Sequence, residues 1–226
     1  VYLIQQEYKK CIKTLSEDIK IFSSMANQEP LTRALYSYAQ ALQMLQKEKK
    51  SIRAFKECIR LCKRENYLPL LLRSYNGLGN LYVANENYDS ALENYQKALE
   101  LSVHLDDTTS KAALLFNQGF IYRNQKNIAL ATRRFSLAIQ VIENKRKKLP
   151  YDVALLSRCY HALGVISSEE ENHPMKALGY FLERKNLAEK TNAPQAEMFT
   201  IMFNLAEVYL KTRLKEQFLN EMKELK

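Results

Sequence analysis

SYNGLGNLYVANENYDSALENYQKALEL, residues 74–101, decides the fold. Tyr75, Leu78, Gly79 and Tyr82 fall at i, i+3, i+4 and i+7, one face of a helix, and Ala91, Tyr95 and Ala98 mark one face of a second. Small residues let the two helices approach, and the aromatic rings fill the space between them. A shift of 40 finds Leu115, Gln118, Gly119, Tyr122, Ala131, Phe135 and Ala138 in the same slots. A shift of 40 in the other direction finds Leu35, Tyr38, Ala39, Leu42, Ser51, Phe55 and Cys58. Tyr160, Leu163 and Gly164 recur 45 residues after Gly119, with Ala177 and Phe181 arriving one residue late. A last copy holds Met202, Leu205, Ala206 and Tyr209, closed by Phe218, Met222 and Leu225. Tyr8, Cys11 and Leu15 match the second half of a first copy.

Self-similarity at a fixed period is the signature of a solenoid. The chain is expected to be all-α, one solenoid domain over residues 1–226 and a piece of a longer protein. A partial repeat at 1–29 precedes repeats at about 30–68, 69–107, 108–149, 150–193 and 194–226. Pro30, Pro69, Pro150 and Pro194 lie between repeats, where a helix is expected to stop. Asp106-Asp107-Thr108-Thr109 offers capping side chains at the junction without proline.

Composition agrees. Only 5 of 226 residues are Gly and 5 are Pro, about 4% against an ordinary 12% or so, which excludes turn-rich β folds. An apolar fraction of 46% is too high for a disordered chain, and no apolar run is long enough to insert into a membrane. Four scattered cysteines do not form a disulfide framework and point to a reducing, cytoplasmic setting. Cys58 and Cys62 lie one helical turn apart but lack further ligands nearby, so they read as small buried thiols and no metal or other cofactor is expected.

The slots Tyr75, Leu78, Gly79, Tyr82, Ala91, Tyr95 and Ala98 resemble the tetratricopeptide repeat pattern W-x2-L-G-x2-Y…A-x3-F…A, with Tyr75 in the Trp slot. The resemblance extends over nearly the whole chain and weakens outward: Gln118 takes a Leu slot, Ser167 a Tyr slot and Arg184 a small-residue slot. The usual repeat is about 34 residues; this one runs 40 to 45. Similar long repeats occur in polarity adaptors and in bacterial Rap and PlcR-like peptide receptors.

The resemblance implies a right-handed superhelix whose first helices line a concave groove. Carried over slot by slot, the groove holds Arg33, Tyr36, Ser37 and Gln40, then Arg73, Asn76 and Asn80, then Phe116, Asn117, Phe120, Arg123 and Asn124. Arg158 and His161 follow, and then Phe203, Asn204 and Glu207. Asn amides can hold the backbone of an extended peptide, and the arginine forks suit carboxylates. A chaperone-type carboxylate clamp matches only at Asn80, Asn117 and Arg158, with Asn76 and Ala162 where it needs cations, so a heat-shock chaperone tail is not the expected ligand.

The net charge of +9 favours acidic protein segments. The runs at Lys47–Lys50 and Lys145–Lys148 read as solvated ends, not a nucleic-acid stripe, so nucleic acid is not an expected partner. No H-E-x-x-H, G-x-S-x-G or phosphate loop occurs, which argues against an enzyme. The expected function is a non-catalytic adaptor that binds a protein or peptide, extended or acidic. The alternative is a peptide-sensing module controlling an effector (DNA-binding or kinase) domain elsewhere in a longer chain. Incomplete terminal repeats also suggest self-association.

Overall fold

A computed structural model describes residues 2–25 and 27–212. Ten α-helices run through them: α1 (Tyr2–Phe22), α2 (Glu29–Met44), α3 (Glu48–Arg64), α4 (Leu68–Ala84), α5 (Tyr88–His104), α6 (Thr108–Asn124), α7 (Ile128–Glu143), α8 (Pro150–Val165), α9 (Pro174–Lys190) and α10 (Gln195–Thr212). No strand occurs among the described residues. Phe218, Met222 and Leu225, expected to close the last repeat, lie outside them. The fold is an α-solenoid of antiparallel helix pairs. The chain divides into two compact units, Val1–Ser110 and Lys111–Lys226, and each is described by itself.

In the first unit, α2 packs on α3 and α4 on α5. The close approach expected at the small slots is present: a Cβ built on Gly79 would stand 2.5 Å from the Tyr95 ring. Ala39, Ala91, Ala98 and Phe55 are fully buried. Cys58 and Cys62 are buried free thiols; Cys58 donates to the Thr32 carbonyl at 3.4 Å and lies 3.2 Å from the Ser74 hydroxyl. In the second unit, Gly119 meets Phe135 and Gly164 meets Phe181 in the same way.

One turn geometry recurs. Gln46, Asn66, Glu86, Asp106, Lys126, Asn172 and Asn192 have positive φ, between 49° and 59°. The first five are spaced at intervals of 20, and the last two are also 20 apart. Each ends a helix, and the next amide bonds back to a carbonyl in the helix's last turn, as in Lys47 N to Leu42 O (2.9 Å) and Asn87 N to Tyr82 O (2.9 Å). This αL cap returns the chain antiparallel. The prolines act differently from expectation. Pro30, Pro69 and Pro150 occupy the first turn of a helix and so begin helices, where a missing N–H costs nothing. At the junction without proline, Asp107 Oδ1 accepts from Ser110 N at 2.9 Å.

The fourth pair is irregular for a physical reason. After α8 the backbone widens into a π-helical turn, Ile166–Glu170, with Glu171 N bonded to Ile166 O at 3.0 Å. The wider turn absorbs the extra residue that delays Ala177 and Phe181. Ahead of α8, Lys145 is not a solvated cation. Its Nζ lies 2.6 Å from the fully buried carboxylate of Asp152, which also accepts from Leu149 N at 2.8 Å. Among the described residues, no helix is long and apolar enough to cross a membrane.

Candidate functional site

The residues expected to line a groove all lie on the first helix of a pair. In the first unit, Arg33 and Gln40 on α2 and Arg73 and Asn80 on α4 are exposed, while Tyr36 and Asn76 are half-buried. Several are held in place. Arg33 donates through Nε and Nη2 to Glu29 Oε1 (2.9 and 2.7 Å). Gln40 Nε2 donates to the Tyr36 hydroxyl at 3.1 Å, and the Tyr36 ring stands edge-on to Phe55 at 5.9 Å. Burial raises the Tyr36 pKa despite the opposing field of Arg73, so the hydroxyl stays protonated. Asn80 is anchored from inside the hairpin, its Oδ1 accepting from the Tyr95 hydroxyl at 2.6 Å.

In the second unit, Phe120 and Asn124 on α6 and Arg158 on α8 are exposed. Phe116 is buried, so it does not present its ring as the slot pattern implied. It lies 5.3 Å from Phe135 and supports Arg158, whose guanidinium carbon sits 4.3 Å from the ring centroid. This cation–π contact aims the charge while leaving its edge in solvent. Asn117, the next residue on α6, is half-buried. Arg123 is engaged by Glu170, at 2.7 Å, and by Glu169, at 3.8 Å, both from the π-helical turn. Phe203 on α10 is 65% exposed, and Asn204 keeps a buried Oδ1 that has no hydrogen-bond partner among the described residues.

His161 faces inward more than its slot suggested. Arg184 Nη1 lies 3.2 Å from its Nδ1, so the neutral ring accepts there and carries its proton on Nε2. Burial, then the Arg184 and Arg123 cations, lowers the His161 pKa. Arg184 also donates from Nε to Ser157 Oγ at 3.2 Å and lies 3.7 Å from Glu197, while Ser157 donates to Glu197 at 2.8 Å. Sequence reasoning missed Ser157, Glu197, Glu169 and Glu170. The one available signal was Arg184 itself, since a buried guanidinium in a small-residue slot demands a carboxylate nearby. Among the described residues, no group of three or more His, Cys, Asp or Glu is placed to hold a metal ion.

Helical hairpins repeated at a near-constant period, with small residues at most of the close contacts, define a helical repeat protein. The tetratricopeptide repeat model matches residues 30–104 and, overlapping them, 70–144, half of the chain; the protein belongs to the tetratricopeptide repeat family. No curated protein sequence matches it. Solved structures share the fold. The crystal structure of BtubC (BKLC) from P. vanneervenii is 18% identical, with a TM-score of 0.76 over 96% of this chain and 90% of that one. The apo quorum sensor NprR from B. thuringiensis is 14% identical, with a TM-score of 0.70 over 99% of this chain and 60% of that one. The Rap conjugation gene regulator of plasmid pLS20, solved in complex with the Phr* peptide, is 15% identical. Its TM-score is 0.59 over 95% of this chain and 56% of that one.

Proposed function

We propose that the protein is a non-catalytic scaffold whose first-of-pair helices bind an extended, acidic protein segment. One observation carries the reading. The exposed faces of α2, α4, α6 and α8 present guanidinium and amide groups, with Arg33, Gln40, Arg73, Asn80, Asn124 and Arg158 all exposed. Amides pair with either polarity of peptide backbone, and arginine forks pair with carboxylates. The candidate binding residues are Arg33, Tyr36, Gln40, Arg73, Asn76 and Asn80 in the first unit. In the second they are Asn117, Phe120, Arg123, Asn124, Arg158, His161 and Asn204, with Phe116 acting through Arg158. The net charge of +9 supports an acidic partner.

Selection from a random-peptide display library tests this. Acid-containing peptides should be enriched, and a variant with Arg33, Arg73, Arg123 and Arg158 each replaced by Gln should lose them at unchanged helicity. Enrichment of peptides without acids, or retention by the variant, overturns the reading.

The likeness to a quorum sensor and to a peptide-bound Rap regulator favours a second reading. Here the repeats sense a signalling peptide and change shape to control an effector domain. A selected peptide should then alter the radius of gyration in X-ray scattering; an unchanged value removes the sensor and leaves the scaffold.

A further inference from the structure

The turn between α3 and α4 closes a cavity of about 380 Å³ that holds two arginines. Glu29 and Arg33 of α2, Asn66 and Tyr67 of the turn and Arg73 of α4 line it. The charges are unequally satisfied. Arg33 is bound by Glu29, whereas Arg73 has no hydrogen bond or ion pair among the described residues and acts on the Tyr36 hydroxyl electrostatically. An exposed arginine on a convex surface is ordinary. An uncompensated guanidinium lining a concavity beside a second one is a site of positive potential with the fork geometry of a carboxylate receptor.

The second unit has the corresponding wedge between repeats and shows what a guanidinium there pairs with. A cavity of about 520 Å³ lies among α8, the α9–α10 turn and α10, lined in part by Val153, Ser157, Asn192 and Glu197. Arg184 reaches Ser157 and Glu197 there, so a carboxylate from the next repeat's first helix satisfies the cation. The Arg184 slot is occupied by Cys58 in the first unit, and among the described residues lining that wedge Glu29 is the one carboxylate, itself bonded to Arg33. The Tyr67 hydroxyl has its pKa raised, first by burial and then by Glu65 and Glu29, and so remains a donor.

We infer that the α2–α3–α4 wedge is a carboxylate-binding subsite, with Arg73 as primary anchor, Arg33 as secondary anchor and an acidic side chain of an extended protein segment as occupant. The inference rests on the scaffold reading above and assigns one anchor point within it. Glu29 limits affinity by occupying Arg33 and repelling the incoming carboxylate.

Fluorescence polarisation with fluorescein-labelled hexaglutamate amide at low salt tests the subsite in the intact chain. Arg73→Gln should weaken binding roughly tenfold or more, the loss of a charged hydrogen-bonded pair. Glu29→Gln should tighten it about threefold by freeing Arg33. Two charge-matched controls in the second unit, Lys147→Gln and Glu183→Gln, should leave it unchanged. If Arg73→Gln behaves like Lys147→Gln while Arg158→Gln weakens binding, the subsite is wrong and the scaffold reading stands. If every variant matches the controls, attraction is diffuse and both fail. Displacement of the probe by inorganic phosphate, but not by unlabelled hexaglutamide bearing amides in place of acids, identifies the wedge as a general oxyanion receptor and overturns the carboxylate assignment.

Discussion

Glu170 reaches across 47 residues of sequence to place Oε1 2.7 Å from Nε of Arg123, joining the π-helical turn to α6. Neither side chain is fully exposed, at 32% for Arg123 and 25% for Glu170, so the pair is screened less than an ordinary surface bridge. A double-mutant cycle with Arg123→Ala and Glu170→Ala should give a coupling of about 0.5–1 kcal/mol in low salt. The coupling should shrink toward zero in 1 M NaCl, where the screening length is about 3 Å. A cycle that closes to zero in low salt would show that the bond contributes nothing to stability.

The close approach at Gly79 predicts a second effect. A methyl group on Gly79 would sit 2.5 Å from Cε1 of Tyr95. That ring is buried and tethered through its hydroxyl to Asn80, so it has little freedom to retreat. Gly79→Ala should therefore destabilise by about 1–3 kcal/mol, although alanine is the better helix former. Gly179 is the internal control, since among the described residues nothing lies within 4 Å of a Cβ built there. Gly179→Ala should stabilise by about 0.5–1 kcal/mol. Urea midpoints of the two variants should move in opposite directions.

Helix identity and pairing were legible in the sequence because they follow from period and residue size. Tyr75, Gly79 and Tyr95 announce one hairpin, and the copies at 40 residues announce the next. The contacts around the candidate groove residues were harder to read, for distinct physical reasons. The partnership of Glu170 with Arg123 depends on a π-helical turn, and a single inserted residue does not say how the backbone will absorb it. Lys145 looked like one cation in a basic run; only the buried Asp152 carboxylate beside it shows otherwise. Phe116 falls in a groove slot by counting, yet Arg158 covers its ring, so slot arithmetic gives the helix face but not the final depth of a side chain.

The recurring αL turns are a reserve of stability. Asn66, Asn172 and Asn192 tolerate positive φ through their short polar side chains, whereas Gln46, Glu86 and Lys126 gain nothing comparable. Glu86→Gly and Lys126→Gly should each stabilise by about 0.5–1 kcal/mol, relief of the Cβ clash outweighing the added freedom of the unfolded chain. Asn66→Gly should gain less. Thermal unfolding of the three single variants checks the ranking, and equal gains at Asn66 and Glu86 would contradict it.

His161 supplies a pH dependence whose sign follows from its surroundings. Burial, Arg184 and Arg123 all disfavour its charged form and hold its folded pKa below that of the unfolded chain. The unfolded state therefore binds more protons in the interval between the two values, and stability falls as pH drops through it. The stabilisation is fully present above the unfolded value of about 6.5 and is lost progressively below it. His161→Gln keeps an amide within reach of Arg184 but removes the titration. Parent and variant compared in urea at about pH 7.5 and pH 5.5 should show a larger acid loss in the parent. Carboxylates elsewhere titrate in both proteins and cancel in the difference. A parent that loses no more than the variant would mean that His161 is solvated in the folded protein and that the Arg184 contact does not persist.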